Sequence, residues 1–305
     1  MIKWHELKPL DSTSRAARWR HAGWAANRQR VYDALIATHR SEARINAFAT
    51  CGCNAVVLER DTLPVTYKLG ATNCHDRLCV PCGNARAAEI ARCLAARTDG
   101  KELKFITLTI AGHGKSLSDK LNMLYKGFRS LRQTPLWQSS IHGGAAFLEI
   151  KWSDKAHRWH PHFHLICEGR FIPQDKLSTL WHAITQDSFI VDVQAVRDPN
   201  EVHKYVTKYA SKPLNMSFVC DPSLLQEALT SLHGRRLCFA FGTWYKTRLH
   251  EVDAPDEPRE GYTAICSLEE IIAAAEAGEK DALFLLHLPQ FERHWRHYLF
   301  PPAAS

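Results

Sequence analysis

From Trp159 to Ile166 the chain reads Trp-His-Pro-His-Phe-His-Leu-Ile. This alternation confines the segment to a β-strand, in which side chains two apart share a face. His162 and His164 then stand side by side, while Phe163 and Leu165 turn into a core. Paired imidazoles suit a divalent metal ion, but two seldom hold one alone. Glu149, within Phe147-Leu148-Glu149-Ile150, belongs to the strand just before. If the two strands pair as an antiparallel hairpin, Glu149 faces His162 or His164 and completes a three-ligand set. Otherwise it is the solvent-facing residue of an edge strand. His160 is a fourth candidate, placed outside the ligand set because Pro161 interrupts the strand beside it.

A second constellation lies downstream. Glu201-Val-His-Lys-Tyr205-Val-Thr-Lys208-Tyr209-Ala-Ser-Lys212 has helical periodicity, and residues four apart share a helix face. Glu201, Tyr205 and Tyr209, with Lys208 and Lys212, form a polar stripe beside Val202, Val206 and Ala210. A phenol is a weak nucleophile near neutrality, with an ordinary pKa of about 10. Neighbouring ammonium groups favour the phenolate and offset phosphate charge. With a metal to polarise a phosphodiester, the chemistry indicated is cleavage of a nucleic-acid backbone. Taken alone, the same stripe fits an amphipathic helix with tyrosines on a core.

The cysteines cluster. Cys74-x4-Cys79-x2-Cys82 follows Cys51-Gly52-Cys53, so five thiols compete for the four places around a tetrahedral zinc. Cys51, Cys74, Cys79 and Cys82 are the expected ligands, with Cys53 as the substitute for Cys51 and His75 as a weaker candidate. The alternative is a set of buried free thiols.

With 305 residues, 45% of them hydrophobic and a formal charge of +7, the chain is long enough for one large domain or two small ones, and is compatible with nucleic acid. No apolar run of about 18 residues suggests a membrane span, and the first residues lack a signal-peptide core. A cytoplasmic location without membrane partners is the expectation. Arg15, Arg18, Arg20, Arg28, Arg30 and Arg40, interleaved with Trp19 and Trp24, fit either a DNA-backbone contact or a helix packed by its tryptophans. Four regions are expected: a basic helical segment at 1–45, a zinc module at 46–100, a catalytic domain at 101–250 and a helical segment at 251–305. Strands are predicted at 103–110, 145–152, 160–167, 188–196 and 235–245. Helices are predicted at 12–40, 116–133 and 174–186, from Asn200 to Pro213, and after the Ser267/Glu270 capping box.

In order along the chain, these segments resemble the HUH endonucleases, specifically the plasmid rolling-circle replication initiators. Phe105-Ile-Thr-Leu-Thr-Ile110 resembles the first motif of that group, His160-Pro-His-Phe-His164 the second, and Glu201-x3-Tyr205-x2-Lys208 the third. Cys74-His-Asp-Arg-Leu-Cys79-x2-Cys82 is similar to its preceding zinc motif, and Gly234 to Lys246 to a later segment. The resemblance spans roughly residues 46–246. It implies an α+β fold: a central antiparallel sheet of ferredoxin-like or RRM-like type backed by helices, with the zinc module N-terminal to it.

It also implies an activity, the nicking and transfer of one DNA strand through a 5′-phosphotyrosine that starts rolling-circle replication. Tyr205 would be the nucleophile, Lys208 its assistant, and His162, His164 and Glu149 the holders of Mg²⁺ or Mn²⁺. Single-stranded or hairpin DNA would be the substrate and a host helicase a further partner. Tyr209 matches the second tyrosine of two-tyrosine members, and Glu201 the water-activating glutamate of single-tyrosine ones, so the terminating residue stays open. A two-tyrosine transposase and a zinc-containing DNA-binding regulator without catalysis are the competing functions.

Overall fold

The computed structural model describes residues 7–98, 100–196, 201–202, 205, 218–247, 249 and 261–299. The chain divides into two compact units, residues 1–82 with 252–305, and residues 83–251. In chain order the elements are helices α1 (Arg15–Arg20), α2 (Ala25–Ala37) and α3 (Glu42–Ala49), strands β1 (Val56–Arg60) and β2 (Thr66–Gly70), and α4 (Val80–Thr98). There follow β3 (Leu103–Thr109), α5 (Leu117–Leu131), α6 (Pro135–Ser140), β4 (Ile141–Ser153), β5 (Arg158–Gly169), α7 (Gln174–Thr185) and β6 (Val191–Ala195). The last are α8 (Pro222–Ser231), β7 (Cys238–Gly242), β8 (Thr263–Ser267), α9 (Leu268–Glu276), α10 (Lys280–Leu286) and α11 (Pro289–Leu299). No described helix is long and apolar enough to cross a membrane.

In the first unit, β8 adds to the β1–β2 hairpin, giving an antiparallel sheet of order β2-β1-β8. Its core joins Trp19 of α1 and Val57 of β1 to Leu268, Ile272, Leu286, Phe291 and Trp295. The two ends of the sequence therefore share one apolar core. The helix expected over 12–40 is two helices, because the chain turns through residues 21–24, where Gly23 adopts a positive φ of 85°. Such a backbone carries little steric cost in glycine. The Ser267–Glu270 capping box opens α9 as the spacing predicted.

The second unit holds a five-stranded antiparallel sheet of order β6-β3-β5-β4-β7. Its succession β3-α5-α6-β4-β5-α7-β6 is a β-α-β-β-α-β unit with the His strand central. The fold is thus α+β, antiparallel sheets backed by helices, as the resemblance implied. Period-2 alternation divides the sheet's residues. Leu108, Phe163, Leu165 and Leu148 belong to the face on which α5 packs, where Phe128 lies 5.5 Å from Phe163. Phe105, Thr107, Thr109, His162, His164, Phe147 and Glu149 belong to the other face. Part of that face is closed by Ile90, Ala91 and Leu94 of α4, with Val202 and Trp244.

β5 runs unbroken through Pro161, contrary to the expected interruption. The proline sits just past the end of the β3–β5 pairing, whose last pair is Thr109 with His162; its carbonyl still accepts from the Ile110 amide at 3.4 Å, and its missing N–H costs only the reciprocal bond at that end of the ladder.

Candidate metal centre

The β4–β5 register sets Glu149 directly opposite His162, with Phe147 opposite His164. Both imidazoles turn Nε2 to the same carboxylate oxygen. Glu149 Oε2 lies 2.6 Å from Nε2 of His162 and 2.9 Å from Nε2 of His164. The three side chains are buried, at 5%, 8% and 6% exposure, and their ligand atoms fall within 4.8 Å of one another. Lys151, two residues along β4, extends its ammonium to 3.3 Å from the same oxygen and is 45% exposed.

The tautomers test whether an ion fits. His162 has its Nδ1 3.0 Å from the carbonyl oxygen of His160, which can only accept, so Nδ1 carries the proton. A neutral His162 then points an unprotonated Nε2 at a carboxylate, lone pair against lone pair. A cation among the three atoms turns that repulsion into shared coordination, and the Nδ1 bond is the usual orienting contact of a ligating histidine. Burial alone would raise the Glu149 pKa, but the two adjoining imidazoles and the nearby Lys151 ammonium hold it well below the usual carboxylate range in the absence of an ion. Burial pushes His164 below its ordinary value, against the opposing hydrogen bond to Glu149. A charged carboxylate beside a neutral imidazole is the protonation state that ligation requires.

Nδ1 of His164 faces two hydroxyls, Thr107 Oγ1 at 3.3 Å and Tyr205 Oη at 3.4 Å. The Tyr205 ring stacks on Phe105 of β3, centroids 3.8 Å apart and planes 5° from parallel, so the phenol is held over the sheet. Glu201 is exposed on the helical residues that precede Tyr205. Lys208 and Tyr209 lie outside the described residues.

Cys51, Cys74, Cys79 and Cys82 form the other potential metal group. Their sulfurs are 3.8 Å apart for Cys51–Cys79 and 3.6 Å for Cys51–Cys82 and for Cys74–Cys82. Four thiolates bonded tetrahedrally at about 2.3 Å stand about 3.8 Å apart, so the group fits one four-coordinate ion. Burial and mutual contact among the thiols push Cys79 up, while contact with the other three pulls Cys51 far down. Cys53 turns away: its thiol donates to Asp11 Oδ2 at 2.9 Å, and burial with that carboxylate pushes it up to about 12. The hinge is Gly52, whose φ of 87° forms the knuckle between the two thiols and whose added Cβ would run into the Arg20 side chain. His75 is not among the clustered ligands.

A family model of replication proteins matches residues 67–283. The chain belongs to the replication protein family. It is 26% identical over 204 residues to a Staphylococcus aureus protein named "Protein rep", an alignment covering 61% of this chain and 89% of the relative. It is 29% identical over 140 residues to "Protein rep" of a Bacillus species, covering 41% of this chain and 46% of the relative, and to that of Bacillus amyloliquefaciens, covering 41% of each. The chain thus spans most of the first relative and less than half of the other two. No solved structure gives a significant match. The kinship indicated by the motifs, with replication initiators of the plasmid Rep kind, is borne out at family level.

Several residues that build the sites of this replication protein carry no sequence signal. Lys120 is fully buried on α5 and donates to the carbonyls of Ala111 at 3.0 Å and Trp159 at 2.8 Å. It thereby pins the end of β3 to the start of the His strand. Glu227 accepts from Trp159 Nε1 at 2.8 Å and from the Leu117 amide at 2.8 Å. Arg28, 3% exposed, donates to the carbonyls of Asp11 at 2.7 Å and Ala49 at 3.0 Å. Trp19 and Trp24 are buried too. At these positions the basic N-terminal stretch is packing material rather than an open stripe.

Proposed function

We propose that this replication protein nicks one DNA strand and keeps hold of it through a 5′-phosphotyrosine on Tyr205. One observation supports this above the others: the Tyr205 hydroxyl and the carboxylate–imidazole cluster flank the same ring, His164, on its Nδ1 and Nε2 edges. A phosphodiester entering there meets a nucleophile on one side and an ion-holding group on the other.

Tyr205 Oη bonds to phosphorus, the P–O3′ bond breaks, and the phenolic proton ends on the departing 3′ oxygen. Stacking on Phe105 fixes the direction of attack. Glu149, His162 and His164 would hold Mg²⁺ or Mn²⁺, which when bound polarises the phosphate and offsets its charge. Lys208, three residues after Tyr205 in the sequence, would add positive charge for the phosphate. The second cleavage falls to Tyr209, or to water activated by Glu201. Cys51, Cys74, Cys79 and Cys82 would hold a structural zinc, a closed site with no position left for chemistry.

The test is incubation of the protein with a hairpin-bearing single-stranded oligonucleotide and Mn²⁺, read as a covalent adduct on a denaturing gel. An adduct lost in Tyr205→Phe is the expected result. An adduct that survives there but vanishes in Tyr209→Phe assigns the wrong tyrosine. No adduct with any DNA favours a regulator without catalysis. Trapped product carried forward with Tyr209→Phe or Glu201→Gln identifies which residue ends the cycle.

A further inference from the structure

Beyond the Glu149/His162 pair, the β4–β5 hairpin continues past the end of β3, and its site face changes character. The next pair on that face is Lys151 with His160, and the next is Ser153 with Arg158. Arg158 donates from Nε to His160 Nε2 at 3.3 Å, and its Nη1 lies 2.9 Å from Nδ1 of His113 in the loop after β3. The guanidinium is thus held between two imidazoles. Lys155 and His157 follow, exposed at the turn, with Asp154 the single acid there. The reverse face is stiff: Trp159 lies 5.2 Å from Trp152 and 5.1 Å from Phe218, and Lys120 and Glu227 fix its polar atoms.

We infer that this basic ladder, Lys151 then Arg158 flanked by His160 and His113, binds the phosphates of the single DNA strand that flanks the scissile bond. The inference rests on the nickase reading for the position of that bond. The rungs lead straight away from the cluster. Successive rungs are two strand residues apart, about 6.7 Å, an interval comparable to the through-space separation of successive phosphates on one nucleic-acid strand. Lys151 has a second part, because it lies against Glu149. An ion held by the carboxylate would compete with that contact and free the ammonium for a phosphate oxygen.

The experiment is fluorescence anisotropy of a single-stranded oligonucleotide over a series of salt concentrations. It compares the full-length protein with Lys151→Gln/Arg158→Gln and with Lys126→Gln/Arg129→Gln. The second pair removes two exposed cations from α5, on the opposite face of the sheet. Losing two phosphate contacts should flatten the log–log salt slope by about 1.4 and weaken binding at least about tenfold, with the α5 variant unchanged. Lys151→Arg/Arg158→Lys keeps both charges and should keep the slope.

The ladder is overturned if its neutral variant binds like the wild type, if both neutral variants lose affinity alike, or if the charge-retaining variant fails as badly as the neutral one. The same preparations enter the adduct assay. A wild type that forms no adduct, but binds through the ladder, sinks the nickase reading alone. Adduct formation with an idle ladder sinks this inference alone.

Discussion

Glu149 Oε2 stands 2.6 Å from Nε2 of His162 across one antiparallel pair of the β4–β5 hairpin. The register brings the carboxylate against both imidazoles. The same oxygen serves His164 at 2.9 Å, so one side chain joins two imidazoles in a group that could hold a metal ion. Glu149→Gln keeps the shape and removes the charge. Loss of a residue that merely orients a ligand lowers metal affinity about 10–100-fold, so loss of the ligand itself should cost no less. Titration calorimetry with Mn²⁺ checks this. Equal affinity in the variant would remove Glu149 from the ion site.

Stability without added divalent ions should rise with pH through two windows. Burial keeps His164 below its ordinary 6.5 in the fold, so the unfolded chain binds the extra proton first and stability falls as pH drops below that value. Glu149 is held below its ordinary 4.5. Its contribution is fully present above that value and disappears at lower pH, as the folded carboxylate is protonated. Thermal unfolding from about pH 2 to about pH 8 should show both, with His164→Gln flattening the upper window and Glu149→Gln the lower. Mn²⁺ affinity should fall with the upper window, since protons and the ion compete for the same nitrogen.

How far these sites were legible depends on the range of the signal. His162, His164 and Glu149 announce themselves because a strand's period of two and a hairpin's pairing are local rules. The cysteine spacings do the same, but Cys51 and Cys53 are separated only by the left-handed turn at Gly52, which spacing does not encode. Lys120, Glu227 and Arg28 were illegible because each acts across distant chain, 39 residues for Lys120 to Trp159 and 68 for Glu227 to the same tryptophan. The pairing of β8 with β1 was hidden for the same reason. Its partners lie some two hundred residues apart, and its strand is too short and too exposed to alternate clearly. Periodicity over 12–40 suggested one helix because a single glycine bend removes little of a helical pattern.

The Gly52 knuckle separates two thiols that composition treats as equals. Cys51→Ser should drop the zinc content from about one per chain toward zero and lower the unfolding midpoint, because binding energy at such a site is folding energy. Cys53→Ser should retain zinc, losing only the bond to Asp11. Elemental analysis of the two purified variants decides it. Zinc lost from both would mean that the knuckle rearranges, and zinc kept by Cys51→Ser would put Cys53 in the ligand set.

Arg28 offers the sharpest contrast between a basic stretch that meets DNA and one that braces a fold. Its guanidinium reaches from Asp11, before α1, to the carbonyls of Phe48 and Ala49 at the end of α3, immediately before the Cys51 knuckle. Desolvation works against the buried charge, and the neighbouring cysteines, Cys51 foremost, work for it. Arg28→Leu leaves buried carbonyls without donors, each worth about 1–3 kcal/mol, so a loss of about 2–4 kcal/mol is expected in urea unfolding. Arg28→Lys should recover only part, since a single ammonium cannot fork across separate acceptors as a guanidinium does. Zinc should also leave the Leu variant faster under chelator, because the chain that presents Cys51 has lost its brace. Oligonucleotide affinity should not move in Arg28→Lys. A Leu variant of near wild-type stability, or a Lys variant that binds DNA poorly, would return this arginine to the DNA-contacting surface.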